Sequence, residues 1–199
     1  MAEETEQLDA APDSEEERPA LDPEVVARRD AALALVRKFG DPVLRSKALA
    51  VERFDDRLRS EVARMAEIMD DGLGIGLAAT QVGILHRVLV YRVGGEAPLV
   101  ALVNPEIEWS DREEEPAEEG CLSLPGVLVD VDRPVHVRVR ARDEGGDEIM
   151  VEATGLEARV IQHEIDHLDG VLILDRTPRD ERKRALRELR EQQRSAEAA

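Results

Sequence analysis

Apolar positions recur at two different periods along the chain, and the change of period marks out the elements. Asp55 or Asp56 can cap a helix, and Leu58, Val62, Met65 and Met69 then recur at helical spacing to about Asp71. A glycine-rich stretch, Gly72, Gly74 and Gly76, leads into Leu77-Ala78-Ala79-Thr80-Gln81. The pattern next predicts strands over residues 87–93, 99–103 and 107–109, a charged loop over 111–119, and further strands over 127–131, 135–141 and 148–153. Alternation is strictest at Val135, Val137 and Val139. Residues 156–168 read as a helix ended by Gly170, residues 171–174 as a short apolar run, and residues 179–194 as a last, highly charged helix. Near the start, Asp22-Pro23 suits an N-cap and first turn for a helix over residues 25–39. The alternation Leu33, Leu35, Arg37, Phe39 equally allows a strand in its second half, and Gly40-Asp41-Pro42 ends either one. Strands that mostly follow one another, with helices at the ends and no internal repeat, predict an α+β domain with antiparallel sheet.

Composition changes this picture little. Phe39, Phe54, Tyr91 and Trp109 are the only aromatic residues besides histidine, so Val, Leu, Ile and Ala must fill the core. The net charge of −18 argues against broad nucleic-acid binding, which recruits basic surfaces. Half of that charge sits in residues 1–24, where ten acids face Arg18 alone. That segment is expected to be a disordered acidic extension, followed by a folded domain over 25–178 and a basic helix and tail over 179–199. No apolar run approaches the roughly 20 residues of a membrane helix, and the acidic N-terminus has no apolar signal core. The expectation is a cytoplasmic protein with no membrane contact. Cys121 is the single cysteine, so no intrachain disulfide can form. A lone cysteine is ordinarily a small buried hydrophobe, and its neighbours decide whether this one is more.

The strongest chemical signal is His163-Glu164-Ile165-Asp166-His167, an HExxH motif in a helical stretch. Positions i and i+4 lie one above the other on a helix face, so both imidazoles can reach one metal ion. Glu164, one residue round, can hydrogen-bond a water at the ion and serve as general base. A catalytic site of this kind needs a third protein ligand and one open position. His86 reads as a surface residue before a strand, and His136 shares a solvated strand face with Arg138 and Arg140. A ligand three residues after Gly170 is excluded, because position 173 is isoleucine. Glu181 and Glu188 lie in the charged terminal helix, where a solvated face is the plainer reading. Cys121 remains, and a thiolate suits a borderline or soft divalent ion.

Around these residues the chain resembles the peptide deformylase family. Glu119-Gly120-Cys121-Leu122-Ser123 is similar to that family's EGCLS motif. Residues 74–81, Gly-Ile-Gly-Leu-Ala-Ala-Thr-Gln, are similar to its first motif, and residues 162–170 to its third. Gly40-Asp41-Pro42-Val43-Leu44-Arg45 resembles the family's start, and the likeness covers roughly residues 33–175. It implies an α+β fold of antiparallel sheets packed around a central metal-binding helix, with a C-terminal helix. It implies a hydrolase that removes the formyl group from the N-formylmethionine of nascent polypeptides and releases formate, a step of protein biosynthesis. By the same resemblance Cys121, His163 and His167 hold one divalent metal, Fe²⁺ in many members, with Zn²⁺, Ni²⁺ or Co²⁺ also accepted by such ligands. Activated water attacks the formyl carbon, and Glu164 takes its proton and later gives it to the departing amine. The Gln81 side-chain amide and the Leu122 backbone N–H stabilise the oxyanion. Gly74, Ile75 and Gly76 pair with the peptide as an added strand. Ile75 and Leu156 are candidate walls for the methionine side chain, although Leu156 reads equally as core. The family often carries a basic or polar residue shortly after EGCLS, where this chain has the apolar Pro125-Gly126-Val127-Leu128.

Two other readings share the HExxH motif: a zinc endopeptidase with a third ligand other than Cys121, and a non-catalytic metal-binding module. The terminal helix carries seven basic residues against four acids over residues 179–194. Its plain reading is a solvated helix laced by ion pairs, and its sharper one is docking on the ribosome near the exit tunnel.

Overall fold

The computed structural model describes residues 22–95 and 97–197, and its elements alternate as the apolar pattern demands. Strands β1 (Gly76–Ala78), β2 (Val88–Tyr91), β3 (Val100–Ser110), β6 (His136–Arg142) and β7 (Glu148–Thr154) form one sheet in the order β1-β2-β3-β6-β7. Every pairing in it is antiparallel. Strands β4 (Glu114–Cys121) and β5 (Leu124–Pro134) form a separate antiparallel hairpin. Helices α2 (Asp56–Asp71) and α3 (Gly155–Leu168) cover the two faces of the large sheet.

The side chains of β2 show why one strand needs two layers. Leu89 and Tyr91 join the core under α3, whereas Val88 and Val90 join the core under α2. Strand residues point alternately to opposite faces, so a strand covered on both sides is apolar throughout. A third core lies between the hairpin and two further helices, α4 (Ile173–Arg176) and α5 (Arg179–Glu197), and contains Val127, Val129, Val131, Leu174, Ala185 and Leu189. The architecture is therefore α+β, with α3 at the centre between sheet and hairpin.

Several boundaries differ from the sequence pattern, each for a local reason. The charged loop expected over 111–119 is strand β4 from Glu114 onward. Its inward positions are Ala117, Glu119 and Cys121, so it has no run of large apolar residues to betray it. The strands expected over 99–103 and 107–109 are one strand, β3, with register shifts between Val103 and Glu106 and between Ile107 and Trp109. Asn104 adopts a left-handed φ of 54°, and its side chain bonds both the N–H and the C=O of Val51. The short apolar run over 171–174 opens into helix α4. Helix α1 (Pro23–Leu35), capped by the Asp22 carboxylate, takes the first half of the ambiguous stretch, and the chain is extended from Val36. Pro23 and Glu24, placed by the pattern in the acidic extension, belong to that helix, and residues 1–21 of the extension lie outside the described residues.

Gly170 ends α3 in the left-handed conformation that stops so many helices, at φ 74°. A Cβ there would also lie 2.7 Å from the Arg45 carbonyl oxygen, so the turn after α3 packs closely on the segment before α2. Among the described residues no helix is long and apolar enough to cross a membrane.

Candidate metal centre and its cleft

The sequence places His163 and His167 one turn apart on α3, and the third core places Cys121 at the tip of the hairpin that packs on that helix. Their ligand atoms all lie within 4.8 Å of one another. The Cys121 sulfur is 3.2 Å from His167 Nε2. It also receives the Ser123 N–H at 3.4 Å and faces the Gln81 side-chain nitrogen at 3.6 Å. Burial opposes ionisation of this thiol, but the neighbouring charges of His167 and His163 outweigh it and hold its pKa well below the ordinary thiol value. Burial likewise opposes a charged His163, yet its hydrogen bonds to Cys121 and Glu119 push its pKa up to about 10. A thiolate between two imidazoles is a donor set for a borderline divalent cation, and a metal binds in place of the protons they share.

One of the two histidines is held from behind, while the buried Nδ1 of His167 has no hydrogen-bond partner. His163 Nδ1 lies 2.9 Å from Glu119 Oε2, which leaves Nε2 free for an ion. Glu119 is itself 6% exposed and bound by Arg133 at 2.6 and 2.9 Å and by Arg159 at 2.8 Å. Arg133 also reaches Asp166 at 2.9 Å, and Arg176 from α4 closes the chain on the same carboxylate. Burial works to raise the Glu119 pKa, but the bonds from His163 and Arg133 keep it well below the usual carboxylate range.

Glu164 is buried, and its Oε2 has no hydrogen-bond partner. Burial raises its pKa. A buried carboxylate with one oxygen unpartnered, beside a set of possible metal ligands, has the environment of an acid–base group. The glycines of residues 74–76 are explained by the protein's own packing. A Cβ at Gly76 would lie 2.5 Å from Glu164 Oε1, so the glycine makes room for that carboxylate. A Cβ at Gly74 would come 3.0 Å from the Leu122 side chain.

Gln81, 1% exposed, is oriented by the Ala78 N–H, which donates to its Oε1 at 2.8 Å. Its amide nitrogen is thereby turned toward Cys121 and Ser123 Oγ, the latter at 3.3 Å. Leu122 follows Cys121 in the turn between β4 and β5. A cleft of about 810 Å³ opens onto these residues, and Gly74, Ile75, Gly76, Leu122 and Leu156 line it with His163 and Glu164. Ile75 and Leu156 are 45% and 54% exposed, so neither is core. Arg29 and Leu33 of α1 also reach its rim. The rejected ligand candidates lie elsewhere. His86 pairs with Glu61, His136 with Glu152, Glu181 with the Asp130 N–H, and Glu188 with Arg184.

Sequence reasoning left Arg133, Arg159, Asp166 and Arg176 without roles. Arg133 could have been found, because it continues the inward phase of Val127, Val129 and Val131. A charge on that phase requires a buried partner.

Fold and site together define a hydrolase of the HExxH type in which a cysteine joins the two histidines in a cluster that could hold a metal ion. The family model described as polypeptide deformylase matches residues 33–183. A peptide deformylase of Clostridium botulinum is 50% identical over 146 residues, spanning 73% of this chain and 97% of that protein. One from Thermotoga maritima is 48% identical over 141 residues, spanning 71% of this chain and 85% of that protein. The crystal structure of a Synechococcus elongatus peptide deformylase in complex with actinonin superposes with a TM-score of 0.74 at 45% identity, covering 77% of this chain and 85% of that one. The structure of a Legionella pneumophila peptide deformylase superposes with a TM-score of 0.77 at 37% identity, covering 82% and 97%. The chain belongs to the polypeptide deformylase family, a family of hydrolases, and its Cys/His/His cluster suits a divalent metal.

Proposed function

We propose that the cleft binds the N-formylmethionyl end of a nascent polypeptide and that the residues around Cys121 hydrolyse its formamide. The observation that carries the residue assignment is the meeting of one thiolate and two imidazoles beside an unpartnered buried carboxylate. Cys121, His163 and His167 would hold the ion, with Fe²⁺ the first choice and Zn²⁺, Ni²⁺ or Co²⁺ compatible with the same donors. When bound, the ion supplies Lewis acidity that makes water a nucleophile near neutral pH and polarises the formyl carbonyl.

The remaining steps fall to the chain. Glu164 accepts a proton from the attacking water and delivers it to the departing amine as the formyl C–N bond breaks, giving formate and a free N-terminus. The Gln81 amide and the Leu122 N–H stabilise the negative charge that develops on the former carbonyl oxygen. The sheet edge at residues 74–76 pairs with the peptide backbone, which accepts many sequences, while Ile75 and Leu156 offer apolar surface to the methionine thioether. The metal-loaded protein is expected to release formate from formyl-Met-Ala-Ser and to leave internal peptide bonds intact. Cleavage at internal bonds would restore the endopeptidase reading.

The setting proposed is the cytoplasm, where formylated chains emerge from the ribosome. The units proposed are the acidic extension over 1–24, the catalytic domain over 25–178 and the basic helix over 179–199. Ala185 and Leu189 of α5 are buried against the hairpin, while Arg187, Arg190 and Arg194 are exposed. If this outer face docks on ribosomal RNA, reversing Arg187 and Arg190 to Glu will lower ribosome co-sedimentation at low salt and leave formate release unchanged. Undiminished co-sedimentation would end the docking idea. Deleting the helix would be a poorer test, because it strips the third core.

A further inference from the structure

The segment joining α1 to the Gly40-Asp41-Pro42 turn has no part in the mechanism above, yet it touches both stretches that carry the oxyanion donors. The Arg37 N–H donates to the Gln81 carbonyl at 2.7 Å, and the Phe39 N–H donates to the Ser123 carbonyl at 2.9 Å. Between them, the Lys38 ammonium donates to the Leu122 carbonyl at 3.1 Å. Three consecutive residues thus clip the first motif to the second. The two outer bonds are main-chain bonds and set the spacing of the stretches. The central one is a side-chain bond to the very residue whose N–H is assigned to the oxyanion.

That placement matters because Leu122 lies in a turn, outside the ladder of either strand. The direction of its N–H depends on the torsions at either end of the residue. On one side stands Cys121, fixed by its ligand role. On the other, the carbonyl is anchored by Lys38. An oxyanion donor acts by being aimed in advance at where charge will develop, so small errors of direction reduce transition-state binding more than substrate binding. Burial lowers the pKa of the ammonium, and the nearby Cys121 thiolate offsets part of that.

Building on the catalytic reading above, we propose that Lys38 is a positioning residue for the reaction: its ammonium anchors the Leu122 carbonyl so that the Leu122 N–H and the Gln81 amide converge on one oxyanion. Lys38 is an exposed residue whose ammonium is partly desolvated at this contact, so the effect is moderate. In metal-loaded protein, Lys38→Met lowers kcat for formyl-Met-Ala-Ser on the order of fivefold and leaves KM within about twofold, the scale of one charge-assisted hydrogen bond at a partly solvated site. Lys38→Arg, which keeps a cation and a donor, restores most of the loss. A peptide phosphonate that mimics the tetrahedral adduct binds the Met variant more weakly by the same factor, while the product Met-Ala-Ser binds it as it binds wild type. A merely structural lysine would not separate those two ligands. Active wild type with an unchanged kcat in the Met variant, or equal weakening of phosphonate and product, overturns the inference alone. Wild type that releases no formate overturns the catalytic reading and this inference with it.

Discussion

Glu164→Gln will keep the metal and lose the reaction. The carboxylate is not among the clustered ligand atoms, and the amide has nearly the same shape, so it fits the space that Gly76 leaves open. What disappears is a group able to accept and return a proton. General acid–base catalysis is ordinarily worth about 10²- to 10⁴-fold, so kcat for formyl-Met-Ala-Ser is expected to fall by about that factor, roughly 3–5 kcal/mol of barrier. Stability should move the other way. Burial raises the Glu164 pKa above its unfolded value, so in the pH range between the two the native state holds more proton than the unfolded chain. The carboxylate therefore costs stability as pH rises through that range, and a neutral glutamine removes the cost. The variant's Tm at pH 7 should equal or exceed that of wild type, with the same metal content by elemental analysis. Turnover within tenfold of wild type would show that another group moves the proton. Loss of the metal would show that Glu164 is a ligand.

Such a site was legible in the sequence to the extent that its chemistry is local. HExxH encodes its own geometry, because a helix brings residues four apart onto one face, and α3 places His163 and His167 accordingly. Cys121 could be reached by exclusion among the remaining ligand types, since every other candidate read as solvated, and each of those candidates does pair elsewhere. What stayed hidden depends on contacts between distant segments. Glu119 and Arg133 meet across the hairpin, fourteen residues apart, and Lys38 meets Leu122 across eighty-four. Periodicity reports which face of an element is buried, not what it is buried against. The same limit explains strand β4, whose pairing with β5 is made by backbone while its sequence shows mainly Glu. It explains residues 33–39 as well, where helical and extended patterns fit equally and packing decides.

The other large effect should come from Arg133, which is outside the ligand cluster and does not line the cleft. Its side chain is 4% exposed and binds Glu119 through two nitrogens and Asp166 through a third. Arg133→Met fills much of the same volume but leaves two buried carboxylates short of a partner. Removing one member of a buried ion cluster typically costs about 3–5 kcal/mol, because the stranded charge keeps its desolvation penalty. Glu119 retains His163 and Arg159, and Asp166 retains Arg176, so the lower end of that range, about 3 kcal/mol, is expected. For a chain of this size the loss lowers Tm by roughly 6–12 °C. The pH dependence has a definite sign. The Glu119 pKa is depressed in the folded state, so its contribution is complete above the unfolded carboxylate value, near 4, and fades as pH falls through the native one. The gap between wild type and variant is therefore widest at neutral pH and narrows below about pH 4. Since Glu119 also holds His163 Nδ1, chelator competition should show metal affinity about 10- to 100-fold weaker in the variant if His163 binds the ion. Urea unfolding at several pH values, read beside that competition, checks both consequences. A loss under 1 kcal/mol with unchanged metal affinity would mean that the hairpin and α3 hold the site together by apolar packing alone.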